Sequence, residues 1–289
     1  MQKCISITLI LFTIFATNVM AEDTSPLSPA FILKPEKILS TTEVATDEGD
    51  FKQSFFVPDT GDAFSRTAKI KHTWAHQGIR LGLSDAIEIG VSETYMINAH
   101  SNQSFYQTYD GFFNPTFSAK KTWWPESDAR LVFSLSAQPK LGNHDFLALP
   151  TTYSAGIGGV LLTTSGLITR INLSRQLING SSSPDSTTVS LGVYKEIAAY
   201  SLNVTTSVEI FDDQNAGAIT SHIDTISTIT AALGRQINAN TWLQIFYKYT
   251  SADDQPRVID VYKGLMTYSA NLNASYNANA FGASLKVLF

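Results

Sequence analysis

Cysteine is almost absent from this chain of 289 residues, and charged residues are scarce. The only cysteine is Cys4. It lies in a segment that we predict to be removed, so disulfides do not stabilise the folded protein. Charged residues make up 16% of the chain, against about 25% in ordinary soluble domains. Acidic residues outnumber basic ones by 25 to 20, and no clustered basic segment is present, which argues against a nucleic-acid partner.

The first 21 residues have the pattern of a secretory signal peptide. Lys3 supplies the positive start, an apolar stretch runs from Ile5 to Phe15, and Ala21 ends the segment ahead of a cleavage site. The apolar stretch is short for a membrane anchor of roughly 20 residues, so we predict cleavage before Glu22. Removal of Lys3 leaves 19 basic against 25 acidic residues, a formal charge of −6.

A second long apolar run is missing after residue 21, which excludes a transmembrane helix of about 18 or more residues. Linkers rich in proline and glycine are also missing, so the remaining chain is predicted to form one domain. Nevertheless, 44% of the chain is hydrophobic. An exported chain with few charges and no apolar helix is typical of a β-barrel in a bacterial outer membrane.

Alternation of apolar and polar residues dominates the chain from about residue 64 onward. In AIEIGVSET, the apolar residues Ile87, Ile89 and Val91 share one face. The stretches ARLVFSLSAQ, TTVSLGVYKE and YSLNVTTSVEIF alternate in the same way. Because successive side chains of a strand point to opposite faces, we predict an all-β protein.

The connections between the predicted strands alternate in length. Short ones lie near residues 83–85, 125–128, 164–165, 198–199 and 237–240. Longer polar ones lie at residues 98–112, 140–152, 178–185, 212–223 and about 252–276. Short turns that alternate with long loops are typical of a transmembrane, antiparallel, up-and-down β-barrel. The alternative is a soluble sandwich, in which the same apolar faces would meet each other.

Aromatic residues cluster at the ends of the predicted strands. Trp123, Trp124, Tyr200 and Trp242 adjoin short turns. The aromatic residues near long loops are Phe105, Tyr106, Tyr109, Phe112, Phe113, Tyr153, Phe211, Tyr247 and Tyr249. Two such belts are expected of a barrel in a bilayer, although large aromatic side chains also fill ordinary cores.

The chain ends in FGASLKVLF, an alternating strand with an aromatic terminus in which only Leu288 breaks the pattern. Phe281, Leu285, Val287 and Phe289 match the apolar positions of the C-terminal sorting signal of Gram-negative outer-membrane barrels, which this ending resembles. The resemblance implies that the barrel assembly machinery recognises these residues. It also implies that their side chains contact outer-membrane lipid.

We predict 12 strands, because both chain ends should lie on the same side of the membrane and the number is then even. Residues 22–63 form an N-terminal segment with the first strand, near residues 37–56, and residues 64–289 form the rest of the barrel. The remaining predicted strands are 64–82, 86–97, 113–124, 129–139, 153–163, 166–177, 186–197, 200–211, 224–236, 241–251 and 277–289. Residues 264–276 are assigned to a final outer loop, either open or rising as a hairpin. Barrels of ten or 14 strands are the alternatives to this count.

A closer resemblance covers residues 75–140. The stretches IRLGLSDAIEIGVSETY and NPTFSAKKTWW resemble a family of outer-membrane proteins assigned to transport. That family includes proteins encoded beside the meta-cleavage enzymes of phenol degradation. The resemblance implies a barrel and a transport role, and it does not identify a solute.

The sequence offers little support for catalysis or for a metal site. The outer-membrane phospholipase A family uses a His-x-Ser pair, and none of the five histidines is followed by serine two residues later. The acidic pairs at 212–213 and 253–254 fall at predicted loop tips. His72 and His76 share a strand face, but about 13 Å separates such positions, so we place them as polar residues near the outer belt. We predict no enzyme activity, no cofactor and no metal.

The inward face carries the functional information in this interpretation. By alternation, the charged residues that face the lumen are Glu88, Lys120, Arg130, Arg170, Glu196, Glu209, Lys248 and Lys286. The first functional hypothesis is a narrow outer-membrane channel or transporter for a small solute. The second is a structural barrel with a plugged lumen, whose loops at 98–112 and 252–276 contact a partner. A hydrolase is the least favoured hypothesis.

Overall fold

A computed structural model describes residues 25–57, 61–101, 111–140, 150–179, 185–212, 225–253, 257–263 and 266–289. The strands are β1 (Ile38–Val57), β2 (Asp62–Ser84), β3 (Ile87–Ser101), β4 (Gly111–Phe112), β5 (Thr116–Trp123), β6 (Ala129–Gln138), β7 (Thr151–Leu162), β8 (Leu167–Asn179), β9 (Ser186–Ile197), β10 (Tyr200–Phe211), β11 (Thr225–Asn238), β12 (Thr241–Asp253), β13 (Arg257–Lys263) and β14 (Met266–Leu288). In the described part of the chain, no helix is long and apolar enough to cross a membrane.

Twelve of these strands form a closed antiparallel β-barrel in which sequence neighbours pair, and β14 pairs with β1 to close it. The two-residue β4 extends the wall beside β3, and β13 pairs with the outer half of β14. The predicted fold class is therefore confirmed, including the number of strands. Because β1 pairs along its length with both β2 and β14, the barrel wall begins at Ile38.

Residues 266–276 form the first half of β14, so this stretch takes the hairpin alternative and not the open loop. It pairs with β13 on one side. On the other side it pairs with the outer part of β1, from Asp50 opposite Asn277 to Phe56 opposite Asn271. The long β1 makes this extension favourable, because it supplies backbone partners for N–H and C=O groups that an open loop would leave to water.

The short turns and the two ends of the wall lie at one end of the barrel, which we call the turn end. Ile38 and Phe289 exchange backbone hydrogen bonds there, with N···O distances of 3.2 and 2.8 Å. The opposite end, where the longer connections lie, is the loop end. Trp124 and Ala198 adopt positive φ angles of 55° in two of the turns, a conformation that reverses the chain within few residues.

The side chains alternate between the outside of the barrel and its lumen, as the sequence predicts. Ile89, Leu135 and Ile171 are exposed on the outside, whereas Glu88 and Arg130 are buried on the inside. Trp123, Trp124 and Tyr200 are exposed near the turn end, and Tyr153, Tyr247 and Tyr249 are exposed nearer the loop end. The belt assignment is wrong for Trp242, which is buried in the lumen, and for Phe113, which lines a lumen cavity. Phe105, Tyr106 and Tyr109 lie outside the described residues.

Candidate functional site: a lumen with an N-terminal plug

Residues 25–37, which we call the plug, fold into the barrel at the turn end. Leu27 and Ala30 of the plug are buried in a cluster of inward-facing residues that comprises Val160, Ile168, Tyr194 and Trp242. Phe31 and Leu33 are buried in a second cluster with Leu39, and Leu288 packs against both clusters. Apolar residues therefore occupy inward positions at this end because the plug supplies an apolar surface for them to cover.

Three cationic side chains of the wall hold the plug by its main chain. Lys286 Nζ donates to the carbonyl of Pro26 at 3.0 Å, and Arg130 Nη1 donates to the carbonyl of Ala30 at 2.6 Å. Lys120 Nζ lies 3.5 Å from the carbonyl of Phe31. A buried segment without regular secondary structure needs partners for its carbonyls, and these lumen cations provide them.

A glycine allows the end of the plug to lie directly against the wall. Gly82 exchanges backbone hydrogen bonds with Glu36 and Lys37, each with an N···O distance of 3.0 Å. A Cβ atom at this position would lie 2.0 Å from the carbonyl oxygen of Lys34. Only glycine permits so close an approach of two backbone segments.

Two cavities are lined by neighbouring inward positions of the barrel wall. The first, of about 310 Å³, opens at the turn end between the plug and the wall and is lined by Trp242 and Leu288 among others. The second, of about 690 Å³, lies in the lumen and is lined by Gln244 and Lys286 among others. These residues are consecutive inward positions on β12 and β14, so the two cavities follow one another along the lumen.

Charged side chains gather on the lumen side of the plug. Arg80 Nη1 and Lys120 Nζ lie 2.9 and 2.7 Å from the same oxygen of the buried Glu88 carboxylate. Lys120 is also close enough to Arg80 and Arg170 for their charges to interact. Lys286 interacts electrostatically with Arg80 and Glu43 in the same way. We call the four cations Arg80, Lys120, Arg170 and Lys286 the cationic band.

The remaining predicted lumen residues lie outside this band. Glu196 accepts a hydrogen bond from Tyr194 at the turn end, and Glu209 accepts one from Ser186 Oγ at 2.6 Å. Lys248 lies near Glu43, with which its charge interacts. The structure therefore brings Glu88, Lys120, Arg170 and Lys286 into one group and places Arg130 against the plug.

The prediction that His72 and His76 lie near the outer belt is wrong. Both line the lumen cavity, together with Trp74 between them. His72 Nδ1 lies 3.0 Å from Asp47 Oδ1, and His76 Nδ1 lies 2.9 Å from Thr94 Oγ1. Ile79 on the same strand faces outward, and each histidine is an odd number of residues away from it. The alternation of β2 therefore directs both histidines into the lumen.

The C-terminal strand has one face outside and one inside. Phe281, Leu285 and Phe289 are exposed on the outer surface, and Val287 is partly exposed beside them. Leu288, the one break in the alternation, faces inward and packs on the plug. The plug thus gives the physical reason for that break.

At the loop end, an ion pair ties β8 to the end of β10. Arg175 Nη1 donates to Asp212 Oδ1 at 2.8 Å, and Arg175 Nη2 lies 3.7 Å from Asp185 Oδ2. The hydrogen bond from Arg175 lowers the pKa of the exposed Asp212 carboxyl below its usual value. The two carboxylates surround one guanidinium on the outer rim.

The described residues contain no group of three His, Cys, Asp or Glu side chains that could hold a metal ion. His144 and His222, which we considered for catalysis, lie outside the described residues, as does the predicted signal peptide of residues 1–21. The side chain of His100 also lies outside them.

No protein-family model matches the sequence, and no curated protein matches it. Solved structures do match the fold. An outer-membrane channel from Pseudomonas putida F1 matches with a TM-score of 0.64 and 11% sequence identity, over 94% of this chain and 100% of that chain. This chain therefore shares the β-barrel fold of that protein. A FadL homologue from Pseudomonas aeruginosa matches with a TM-score of 0.52 and 10% identity, over 93% of this chain and 96% of that chain. The expected resemblance to outer-membrane transport barrels is confirmed at the level of the channel fold.

The plug and Arg80 were not predicted from the sequence. The segment SPLSPAFIL carries apolar residues between prolines, a composition that fits a buried irregular segment as well as a linker. Leu288 and Trp242, two large apolar residues at inward positions, were the signals that something apolar occupies the lumen. Arg80 could have been found by extending the alternation of β2 backward from Gly82.

Proposed function

We propose that this protein is an outer-membrane channel that passes a small solute through its lumen and past the plug. One observation carries the proposal: a lumen cavity of about 690 Å³ and a turn-end cavity of about 310 Å³ are lined by neighbouring inward positions of the same strands, and the plug lines the turn-end cavity. Non-covalent contacts alone hold the described plug, so it can move without breaking the wall.

The solute would enter at the loop end and leave at the turn end. Glycine, serine and asparagine occupy inward positions on the β6–β9 wall, including Ser134, Gly156, Gly158, Asn172 and Gly192. A 12-strand barrel has an interior between that of an eight-strand barrel, which side chains fill, and that of a wide porin. Small inward residues on this side therefore leave the space that a narrow pore requires.

The bacterial outer membrane is the proposed location, with the turn end in the periplasm. The similar protein from Pseudomonas putida F1 is an outer-membrane channel, and the apolar outer face of the barrel fits the hydrocarbon core of a membrane. Outer-membrane lipid and the barrel assembly machinery are the proposed partners of the outer face and of the C-terminal strand. The proposal includes no catalytic step.

Gly82→Ala tests the role of the plug. The added methyl group would lie 2.0 Å from Lys34 O and 2.7 Å from Leu33 O, so the plug must shift, at a cost of about 1–3 kcal/mol. We expect higher single-channel conductance in planar bilayers. Gly78→Ala is the matched control on the same strand, because its nearest neighbour would be Ser92 Cβ at an ordinary 3.4 Å.

A second variant, Arg130→Met, removes the hydrogen bond to Ala30 without crowding the wall, and we expect the same rise in conductance. If the wild-type protein and both variants fold but none of them conducts, the channel proposal is contradicted. That outcome would favour the structural barrel, which the plug and the ion pairs around Glu88 also fit. If all four proteins conduct equally, the channel proposal stands, but the plug does not lie in the path of the solute.

A further inference from the structure

We infer that the cationic band binds the carboxylate of an organic anion whose apolar body occupies the lumen cavity. This inference rests on the proposed function and names the chemical class of the solute. The inference rests on an excess of cations, on an unengaged arginine beside Lys120, and on a cavity with apolar walls that Arg80 and Lys286 line.

The first observation is the balance of charge on the lumen side of the plug. The band contains Arg80, Lys120, Arg170 and Lys286, and the acids that interact with it are Glu43 and Glu88. Arg130 adds a further cation beside the plug. A lumen with low-dielectric walls focuses such an excess of one sign and raises the local concentration of the opposite ion.

The second observation concerns Arg170 on β8. Within the part of the chain that the structure describes, no hydrogen bond or ion pair engages its guanidinium, although Lys120 and Arg80 both have Glu88 as a partner. Its strand neighbours across the wall are Val160 and Gly192, neither of which carries an acceptor in its side chain. A guanidinium offers five N–H donors and binds a carboxylate with two of them at once.

The third observation is the composition of the lumen cavity, which two members of the band line. Arg80 and Lys286 line it together with Trp74, Met96 and Phe113. Of the acids in the same lining, Asp47 is paired with His72, and Glu43 interacts electrostatically with Lys286 and Lys248. A concave site of this size with apolar walls and a few polar groups is typical of small-molecule binding. The site therefore suits a solute with one anionic end and a planar or branched apolar body.

Equilibrium binding tests the inference independently of conduction. Benzoate serves as the anionic probe and benzamide as its neutral counterpart, and each is titrated into the purified full chain in detergent by isothermal titration calorimetry. We expect benzoate to bind more tightly than benzamide and to lose affinity as the chloride concentration rises. Equal affinity for the two probes, or no binding of benzoate, would overturn the inference.

Arg170→Gln is the informative variant, because Arg170 supports neither the plug nor an ion pair. Loss of a charge-assisted hydrogen bond should weaken benzoate binding about tenfold or more and leave benzamide unaffected. Lys121→Gln is the matched control, since Lys121 lies on the outer surface above the Trp123 ring at 5.1 Å. Unchanged benzoate affinity in Arg170→Gln would overturn the assignment.

The outcomes also separate this inference from the proposed function. If benzoate binds but the protein never conducts, the channel proposal is contradicted and the inference of an anion site stands. Conductance for small ions without benzoate binding would keep the channel and remove the anion site. In a conducting protein, Arg170→Gln should also shift the reversal potential in a salt gradient toward lower anion preference.

Discussion

Single residues in this barrel have roles that their strand position alone decides. Lys286 and Phe289 are three positions apart on the last strand, yet one donates to the plug and the other projects outside. Lys120 and Lys121 are adjacent, and one reaches Glu88 while the other lies over an outer tryptophan. A residue's side of the wall, more than its type, determines what a substitution does.

Phe289→Asp should impair assembly far more than Lys286→Ala. An apolar side chain that contacts lipid contributes about 2 kcal/mol, and the aromatic terminus is the end of the expected assembly signal. Lys286→Ala should instead assemble normally and raise conductance, because it frees the carbonyl of Pro26. Yields of heat-modifiable barrel in membranes, with conductance measured on the same preparations, check both. Wild-type assembly of Phe289→Asp would contradict the role given to the terminus.

At the scale of elements, the strands combine a lipid-facing and a lumen-facing set of side chains. On β8, Ile171 and Leu173 are exposed outside, and Arg170 and Asn172 alternate with them toward the lumen. An arginine at the lipid face near mid-depth would cost roughly 2–4 kcal/mol. The observed register avoids this cost. A slip by one residue would move every side chain of the strand to the opposite face of the wall.

Cysteine labelling of β8 tests this register against a background in which Cys4 is the only native thiol. A water-soluble maleimide should label Arg170→Cys, and a lipid-soluble reagent should label Ile171→Cys. Arg130→Cys should react slowly with the aqueous reagent, because Arg130 is buried beside the plug, and faster once Gly82→Ala is added. The reverse pattern at 170 and 171 would contradict the register.

At the scale of the whole molecule, closure of the barrel and the contacts of the plug join the described parts of the chain into one folded unit. Closure by β1 and β14 leaves no open edge among the 12 strands of the wall, and an open edge would be unstable in lipid. The plug then connects the start of the described chain to β6, β5 and β14 through Arg130, Lys120 and Lys286. Because these contacts come from several strands, the plug has its full set of partners only in the assembled barrel.

The whole protein should fractionate with outer membranes and migrate faster on gels before heating than after it. A closed barrel of hydrogen-bonded strands resists detergent until it is heated, and its outer face is apolar. Fractionation of bacterial envelopes followed by gels of heated and unheated samples measures both properties. Recovery of the mature chain as a soluble periplasmic protein would rule out the membrane placement.

The sequence by itself determined most of the strands and, where the alternation is regular, their inward and outward faces, because period-two alternation and turn chemistry are local properties. It also placed Arg130 and Lys286 on the inward face by that alternation. It did not determine what fills the lumen. Arg130 meets Ala30 across 100 residues of chain and Lys286 meets Pro26 across 260, and no local pattern encodes such pairs.

Only the tertiary structure decided that the N-terminal segment enters the barrel. The same fold placed His72 and Trp74 in the lumen and gave Leu288 a partner there. Closure of the wall brings these distant positions together, and burial of apolar side chains around the plug then selects its place.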